Sequence, residues 1–322
     1  MVGSDHVELI CCGAINWDIN LFMERLPRTG EEVQVKQIRR VSGGTAANVA
    51  VAAARILGPG RVALVAALGD DEIAERQLKI LEEEGVVTTG IIEVAGEESG
   101  QAYISIGARG ENEIHTYFGA NLELKKEHLL ETSVALLTEG GKVAVIMDPP
   151  LAVAEALADT CAGNRATVIW DPGVYAELGL EALASTLRNV DYFILNNLEF
   201  ENLLGTSDPI EVGETLGAER RGIKAIIKRG EEGCLLRDDV SGTTLHVGAV
   251  PLERLGLEVV NTVGCGDAFI GAFASALVDG LEDLEALRYG CAAGSYKATR
   301  LETRGGPTAK ELESLLESWG GL

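Results

Sequence analysis

Positive charge is scarce in this chain. It carries 27 Lys and Arg against 50 Asp and Glu in 322 residues, a formal charge of −23. That balance speaks against a general nucleic-acid binder, which needs clustered cations to displace counterions from phosphates. It speaks equally against adhesion to anionic membranes. Histidine is scarcer still. His6, His115, His128 and His246 are too dispersed to suggest a metal site. The six cysteines, at 11, 12, 161, 234, 265 and 291, form no Cys-x-x-Cys pair, so nothing points to zinc. No apolar run approaches the roughly 20 residues of a membrane span. The first 13 residues lack the basic and apolar segments of a secretory signal. The expectation is a soluble cytoplasmic protein with reduced thiols.

Several catalytic signatures are missing too. There is no Gly-x-x-x-x-Gly-Lys-Ser/Thr phosphate loop, no Gly-x-Ser-x-Gly elbow and no His-Glu-x-x-His pair. Gly58-Pro59-Gly60 precedes an apolar run instead of following one, the wrong context for a dinucleotide fingerprint and hence for a nicotinamide dehydrogenase.

What remains has a clear rhythm. Residues 7–12, 62–67, 143–147, 166–170, 193–195 and 225–227 are short apolar runs bounded by Gly, Pro or Asp, the pattern of buried strands. Helical patterns lie between and after them, at 46–57, 73–84, 151–161, 267–278 and 284–300. Strand–helix alternation predicts an α/β fold with a mostly parallel sheet covered on both faces. Two stretches depart from it. Residues 15–41 and 100–118 alternate polar and apolar residues, as in Glu32-Val33-Gln34-Val35-Lys36, and predict a small sheet with one wet face. Such a sheet could cover a cleft or pair with another subunit.

Four segments carry chemistry. Asn261-Thr262-Val263-Gly264-Cys265-Gly266-Asp267 opens a helix, and first-turn amides there have no intrahelical partner and point toward any bound anion. Asp267 is a base or a helix cap. Ser42-Gly43-Gly44-Thr45-Ala46-Ala47-Asn48 opens a second helix, and upstream Asn16-Trp17-Asp18 follows the first strand, where Asp18 is a ligand-facing carboxylate or a turn residue. Asn196-Asn197-Leu198-Glu199 ends a strand and either orients waters on Mg²⁺ or forms a capping box. Lys228-Arg229-Gly230-Glu231-Glu232-Gly233 puts two cations beside a glycine turn, to meet nucleotide phosphates or to pair with the two glutamates.

Together, in this order, the segments resemble the ribokinase-like (PfkB) family of carbohydrate and nucleoside kinases, over nearly the whole chain. The resemblance implies a three-layer α/β/α body with a β-sheet lid formed by about 15–41 and 100–118. It implies that Asp267 is the catalytic base and that Gly264, Cys265 and Gly266 form an anion hole. Asn16, Asp18, Gly43, Gly44 and Asn48 would hold sugar hydroxyls, with Asn121 of the Tyr117–Asn121 stretch closing over them. Asn196, Lys228, Gly230, Gly233, Thr262, Gly266 and the 292–297 region would lie along ATP, with ADP as an alternative donor. Glu199 would support Mg²⁺ through water. Lid strands would meet across a homodimer. The implied acceptor is a ribose-like sugar or nucleoside; the alternatives are a sugar phosphate held by Arg39, Arg40 or Arg109, and a non-catalytic sensor on the same fold. Three departures stand out. Asn261 replaces the usual Asp, which calls a monovalent-cation site into question. Cys265 replaces a small residue and adds a thiol. Asp171-Pro172-Gly173 stands where many members carry an Asn followed by an Arg.

Overall fold

A computed structural model describes residues 7–109 and 111–320 of the chain. Gly110 and part of the leader window therefore lie outside the described residues. The strands are β1 (Leu9–Gly13), β2 (Asn16–Met23), β3 (Val35–Gly43), β4 (Val62–Gly69), β5 (Val87–Val94), β6 (Gln101–Ile106), β7 (Asn112–Tyr117), β8 (Val143–Met147), β9 (Thr167–Asp171), β10 (Tyr192–Asn196), β11 (Lys224–Lys228), β12 (Cys234–Asp238) and β13 (Thr244–Val247). The helices are α1 (Thr45–Leu57), α2 (Glu72–Glu83), α3 (Thr132–Gly140), α4 (Leu151–Gly163), α5 (Leu180–Leu187), α6 (Asn197–Leu204), α7 (Pro209–Glu219), α8 (Cys265–Val278), α9 (Asp283–Ala298) and α10 (Ala309–Gly320).

Among the described residues nine strands form one sheet in the order β13-β12-β11-β10-β9-β8-β1-β4-β5. It is parallel from β11 to β5, and β12 and β13 extend it antiparallel. The strand order reverses at β1, which lies between β4 and β8. Crevices beyond the carboxyl ends of strands at such a reversal are where open α/β sheets bind ligands.

Alternation along each strand divides the core. Leu9 and Cys11 join a cluster with α1, α2, α8 and α9, while Ile10 and Cys12 join one with α3 to α7. Burying each Leu or Phe contributes about 1.5–3 kcal/mol. α1 and α8 lie unusually close because both are rich in small residues. A Cβ on Gly271 would come within 2.8 Å of Ala52 Cβ and 2.9 Å of Val49 O. This packing sets the two helix starts side by side.

A separate four-stranded sheet runs β3-β2-β6-β7, with β2 and β6 parallel and both outer pairs antiparallel. The alternating stretches fall within it, with one correction. β3 begins at Val35, so Glu32 to Gln34 are not strand. Asp18 likewise does not end a strand; it is the third residue of β2, opposite Val41. The sequence reasoning also missed β5, β12, β13, α3, α5, α7 and α10, and offered the start of α6 only as the capping-box alternative at Asn196–Glu199. No helix among the described residues is long and apolar enough to cross a membrane.

Candidate active site

α1 and α8 begin at glycines, Gly44 with φ 90° and Gly264 with φ 84°, and neither start is capped by its own side chain. At Gly264 the left-handed backbone is matched by crowding, since a Cβ there would sit 2.4 Å from Thr303 O. Because the two starts adjoin, Asn48 Nδ2 donates to Asp267 Oδ2 at 2.8 Å across 219 residues of sequence. Cys265 N donates to Thr262 O at 3.2 Å within the turn. The amides of Gly266 and Asp267 belong to the first turn of α8, where backbone donors have no intrahelical partner.

The strand ends supply the other wall. Asp148 follows β8, Asp171 ends β9, Asn196 ends β10 and Lys228 ends β11. Lys228 Nζ donates to Asp171 Oδ2 at 2.8 Å and lies 3.6 Å from where a Cβ on Gly266 would be. Asp148 adopts φ 57° and accepts from Thr45 Oγ1 at 2.8 Å and Val174 N at 2.9 Å. Asp18, buried, presses on Gly43 so closely that a Cβ there would lie 2.2 Å from its carboxylate.

Burial sets the electrostatics. It pushes Asp267 up to about 6, against the opposing pull of the Asn48 hydrogen bond and of Lys228. Desolvation outweighs these favourable contacts, and the group remains mostly ionised at pH 7. Burial lifts Asp18 to about 7 despite Arg304, and lifts Asp148 to about 7 with Asp171 adding to it. For Lys228, burial works against the charge, but Asp171 and Glu199 outweigh it and hold its pKa above the usual lysine value. Burial also pushes the Cys265 thiol up, so this cysteine is less of a thiolate than its exposed counterpart.

Other expected residues are placed as follows. Asn196 and Glu199 form a reciprocal capping box at the start of α6, with Glu199 N donating to Asn196 Oδ1 at 2.9 Å and Asn196 N to Glu199 Oε2 at 2.7 Å. Asn121 is buried and tied to the protein. It accepts from Ile15 N and donates to Ile15 O, Asn16 Oδ1 and Phe118 O, so it braces the entry to β2. Gly230 and Gly233 shape a tight turn after β11, in which Arg229 pairs with Glu232. Thr262 is exposed beside the α8 turn. Of the 292–297 region, Ala292, Ala293 and Lys297 are buried, which leaves residues 294–296 partly accessible. Arg39 stacks over Phe22, and Arg109 pairs with Glu111.

Arg304 is the residue that sequence reasoning missed. Its Nε donates to Asn48 Oδ1 at 2.8 Å, its Nη2 to Gly43 O at 2.9 Å and its Nη1 to Ser42 Oγ. Burial lowers its pKa to about 10, while the charges of Asp18 and Asp267 oppose that shift. Arg55, itself paired with Glu84, holds Arg304 O and Gly306 O. Arg304 thus ties together Ser42, Gly43 and Asn48 at the start of α1, and reaches Asp267 through Asn48. Asp148 was missed as well, although a carboxylate directly after a buried strand was a usable signal.

The profile of the pfkB family of carbohydrate kinases matches residues 7–310. The chain belongs to this family. A ribokinase of Haemophilus influenzae is 28% identical over 319 residues, covering 96% of this chain and 98% of the relative. An ATP-dependent ribose-1-phosphate kinase of Halopiger xanaduensis is 29% identical, again covering 96% and 98%. The crystal structure of a Thermotoga maritima ribokinase superposes with a TM-score of 0.83 at 26% identity, covering 97% and 99%. As a pfkB kinase the protein is a phosphotransferase with an alcohol acceptor.

Proposed function

We propose that this pfkB kinase transfers the γ-phosphoryl of ATP to a hydroxymethyl group of a ribose-like sugar or nucleoside. The observation that carries this reading is the pairing of Asp267 with the amide-bearing start of α8, beside Lys228 and Asn48. Phosphoryl transfer has a loose transition state, so positioning and charge stabilisation dominate its catalysis. Asp267, held by Asn48, takes the proton from the attacking hydroxyl. The Gly266 and Asp267 amides and the Lys228 ammonium face the charge that develops on the phosphoryl oxygens, and their orientation is set before reaction. Asp18 and Asp148 suit sugar hydroxyls, since a carboxylate accepts hydrogen bonds and repels a phosphate. Gly230 and Gly233 give the nucleotide a flat approach along the end of β11.

Mg²⁺ suits the donor set. Glu199 Oε2 is engaged in the capping box, and its other carboxylate oxygen is a hard ligand able to hold the ion through water. Bound with the nucleotide, Mg²⁺ would neutralise phosphate charge.

The four-stranded sheet is read as a lid over the acceptor. Its exposed Ile38 and Tyr103, which the register places on one face, offer an apolar surface to a second copy. A sugar-phosphate acceptor is the second reading. It is favoured by the ribose-1-phosphate kinase relative and by Arg39, which lies opposite Asn20 and so, by strand alternation, on the same face as Asp18, whereas Arg40 points to the other face.

A coupled assay of ribose, fructose, nucleosides, ribose 1-phosphate and fructose 6-phosphate, each with ATP and with ADP, tests the proposal. Turnover of a neutral pentose or nucleoside with ATP is the expected result. Turnover of sugar phosphates alone selects the second reading, and no ATP- or ADP-dependent turnover of any acceptor overturns both.

A further inference from the structure

Lys297 is a lysine with 0% exposure in a protein whose other charges mostly reach water or the cleft. It is met by backbone carbonyls. Its ammonium donates to Asn261 O at 2.9 Å and Arg300 O at 3.3 Å. It sits in the last turn of α9, where the exposed carbonyls of a helix end favour a cation.

The two carbonyls belong to segments that the backbone already links. Val260 N and Asn261 N both donate to Ala298 O, and Asn261 Nδ2 donates to Leu301 O at 2.8 Å. Asn261 Oδ1 in turn accepts from Val263 N. One residue further is Gly264, lodged against Thr303 O. The ammonium therefore fastens the turn that opens α8 to the segment that carries Arg304. A buried –NH₃⁺ on carbonyl oxygens presents the same charge, in the same kind of cage, as an alkali-metal ion that has exchanged its water for carbonyls.

We propose that the Lys297 ammonium is a tethered monovalent cation, which positions the α8 amides and makes the enzyme independent of free alkali-metal ions. The proposal deepens the kinase reading and rests on it for its rate measurements. Lys297 is a positioning residue: it acts through the Asn261–Gly264 turn.

The test compares K⁺ with tetramethylammonium, which is too large for the cage, at equal ionic strength. Wild-type kcat should agree within about twofold in the two salts. Lys297→Met should lose about tenfold or more in tetramethylammonium with acceptor KM nearly unchanged, and should recover in K⁺ or methylammonium. K⁺ should also raise the melting temperature of Lys297→Met and leave that of the wild type unmoved. A wild type that needs K⁺ overturns the proposal. So does a Lys297→Met enzyme that is fully active in tetramethylammonium, or one that no small cation restores. If Lys297→Met does not fold, the wild-type salt comparison still decides between dependence and independence. If the wild type phosphorylates no acceptor, the kinase reading fails and the melting comparison alone judges the clamp.

Discussion

The two ends of the nine-stranded sheet treat charge in opposite ways. At the amino ends of the strands several charges meet opposite ones. Glu8, just before β1, is paired with Lys142 at 2.6 Å and with Arg61. Asp191, before β10, pairs with Arg220 at 2.9 Å, and Lys224 with Asp283 at 2.6 Å. Even the roomy groove here, about 400 Å³ and lined by Arg165, Asp191, Arg220 and Lys224, has most of its cations already engaged. At the carboxyl ends Asp18, Asp148, Asp171 and Asp267 crowd around Lys228 and Arg304, and three of the acids are held well above their ordinary pKa. The first end is arranged for stability. The second tolerates unneutralised carboxylates, which is the condition a proton acceptor needs.

The contrast breaks most sharply at Asp267. Asp267→Asn should lower kcat by about 10²–10⁴-fold, the range general-base catalysis supplies. Acceptor affinity measured by calorimetry should change little, and an equal loss of both would remove the base assignment. Arg304→Met should lower kcat/KM by about 10²-fold through misplacement of Asn48 and Asp267. It should also move the acidic limb of the pH–rate profile, near pH 6 in the wild type, to higher pH, because a cation that favours the Asp267 carboxylate is gone. A limb that stays in place would show that Arg304 is only a brace.

The next test separates the ends by stability. Asp148 has a folded pKa of about 7 against an ordinary value of 3.8. As pH rises between them the unfolded chain releases its proton first, so ionisation favours unfolding. The penalty is absent below pH 4 and complete above 7. Asp148→Asn should therefore stabilise the protein by about 1–3 kcal/mol at pH 8 and little at pH 4, measured by denaturant titration. Glu8 has the opposite sign. Its hydrogen bonds to Lys142 and Arg61 lower its pKa, so its contribution is present at neutral pH and is lost as pH falls through the folded value. Glu8→Gln should cost less than about 1 kcal/mol at pH 7, since these pairs are partly wet, and should leave the kinase rate unchanged. A large rate effect from Glu8 would erase the distinction between the ends.

Much of this arrangement was visible in linear order. The buried strands from β1 to β11 other than β5 announce themselves as apolar runs, because parallel strands covered on both faces cannot alternate. Gly264–Asp267 and Gly43–Asn48 stand out because glycine stands at each helix start. The strands β12 and β13 were not visible: Arg237, Asp238 and Thr244 give an edge hairpin no apolar run. Helix α7 and the body of α6 were hidden because their burial is confined to a few residues such as Phe200, Val212 and Leu216. The Asn196–Glu199 pair shows a different limit. Its spacing is right for a helix cap and for a water-held metal alike, and the capping bonds account for one carboxylate oxygen only.

Residue pattern and composition settle what neighbours along the chain can settle: which runs become strands, where glycines open helices, and that an acidic surface repels polyanions. These are consequences of local dihedral preference and of side-chain period. The reach of Arg304 to Asn48, 256 residues away, and the burial of Lys297 on the Asn261 and Arg300 carbonyls have no local signature. They exist because α1, α8 and α9 pack through small residues, and that packing decides which distant charges share a space too dry to ignore one another.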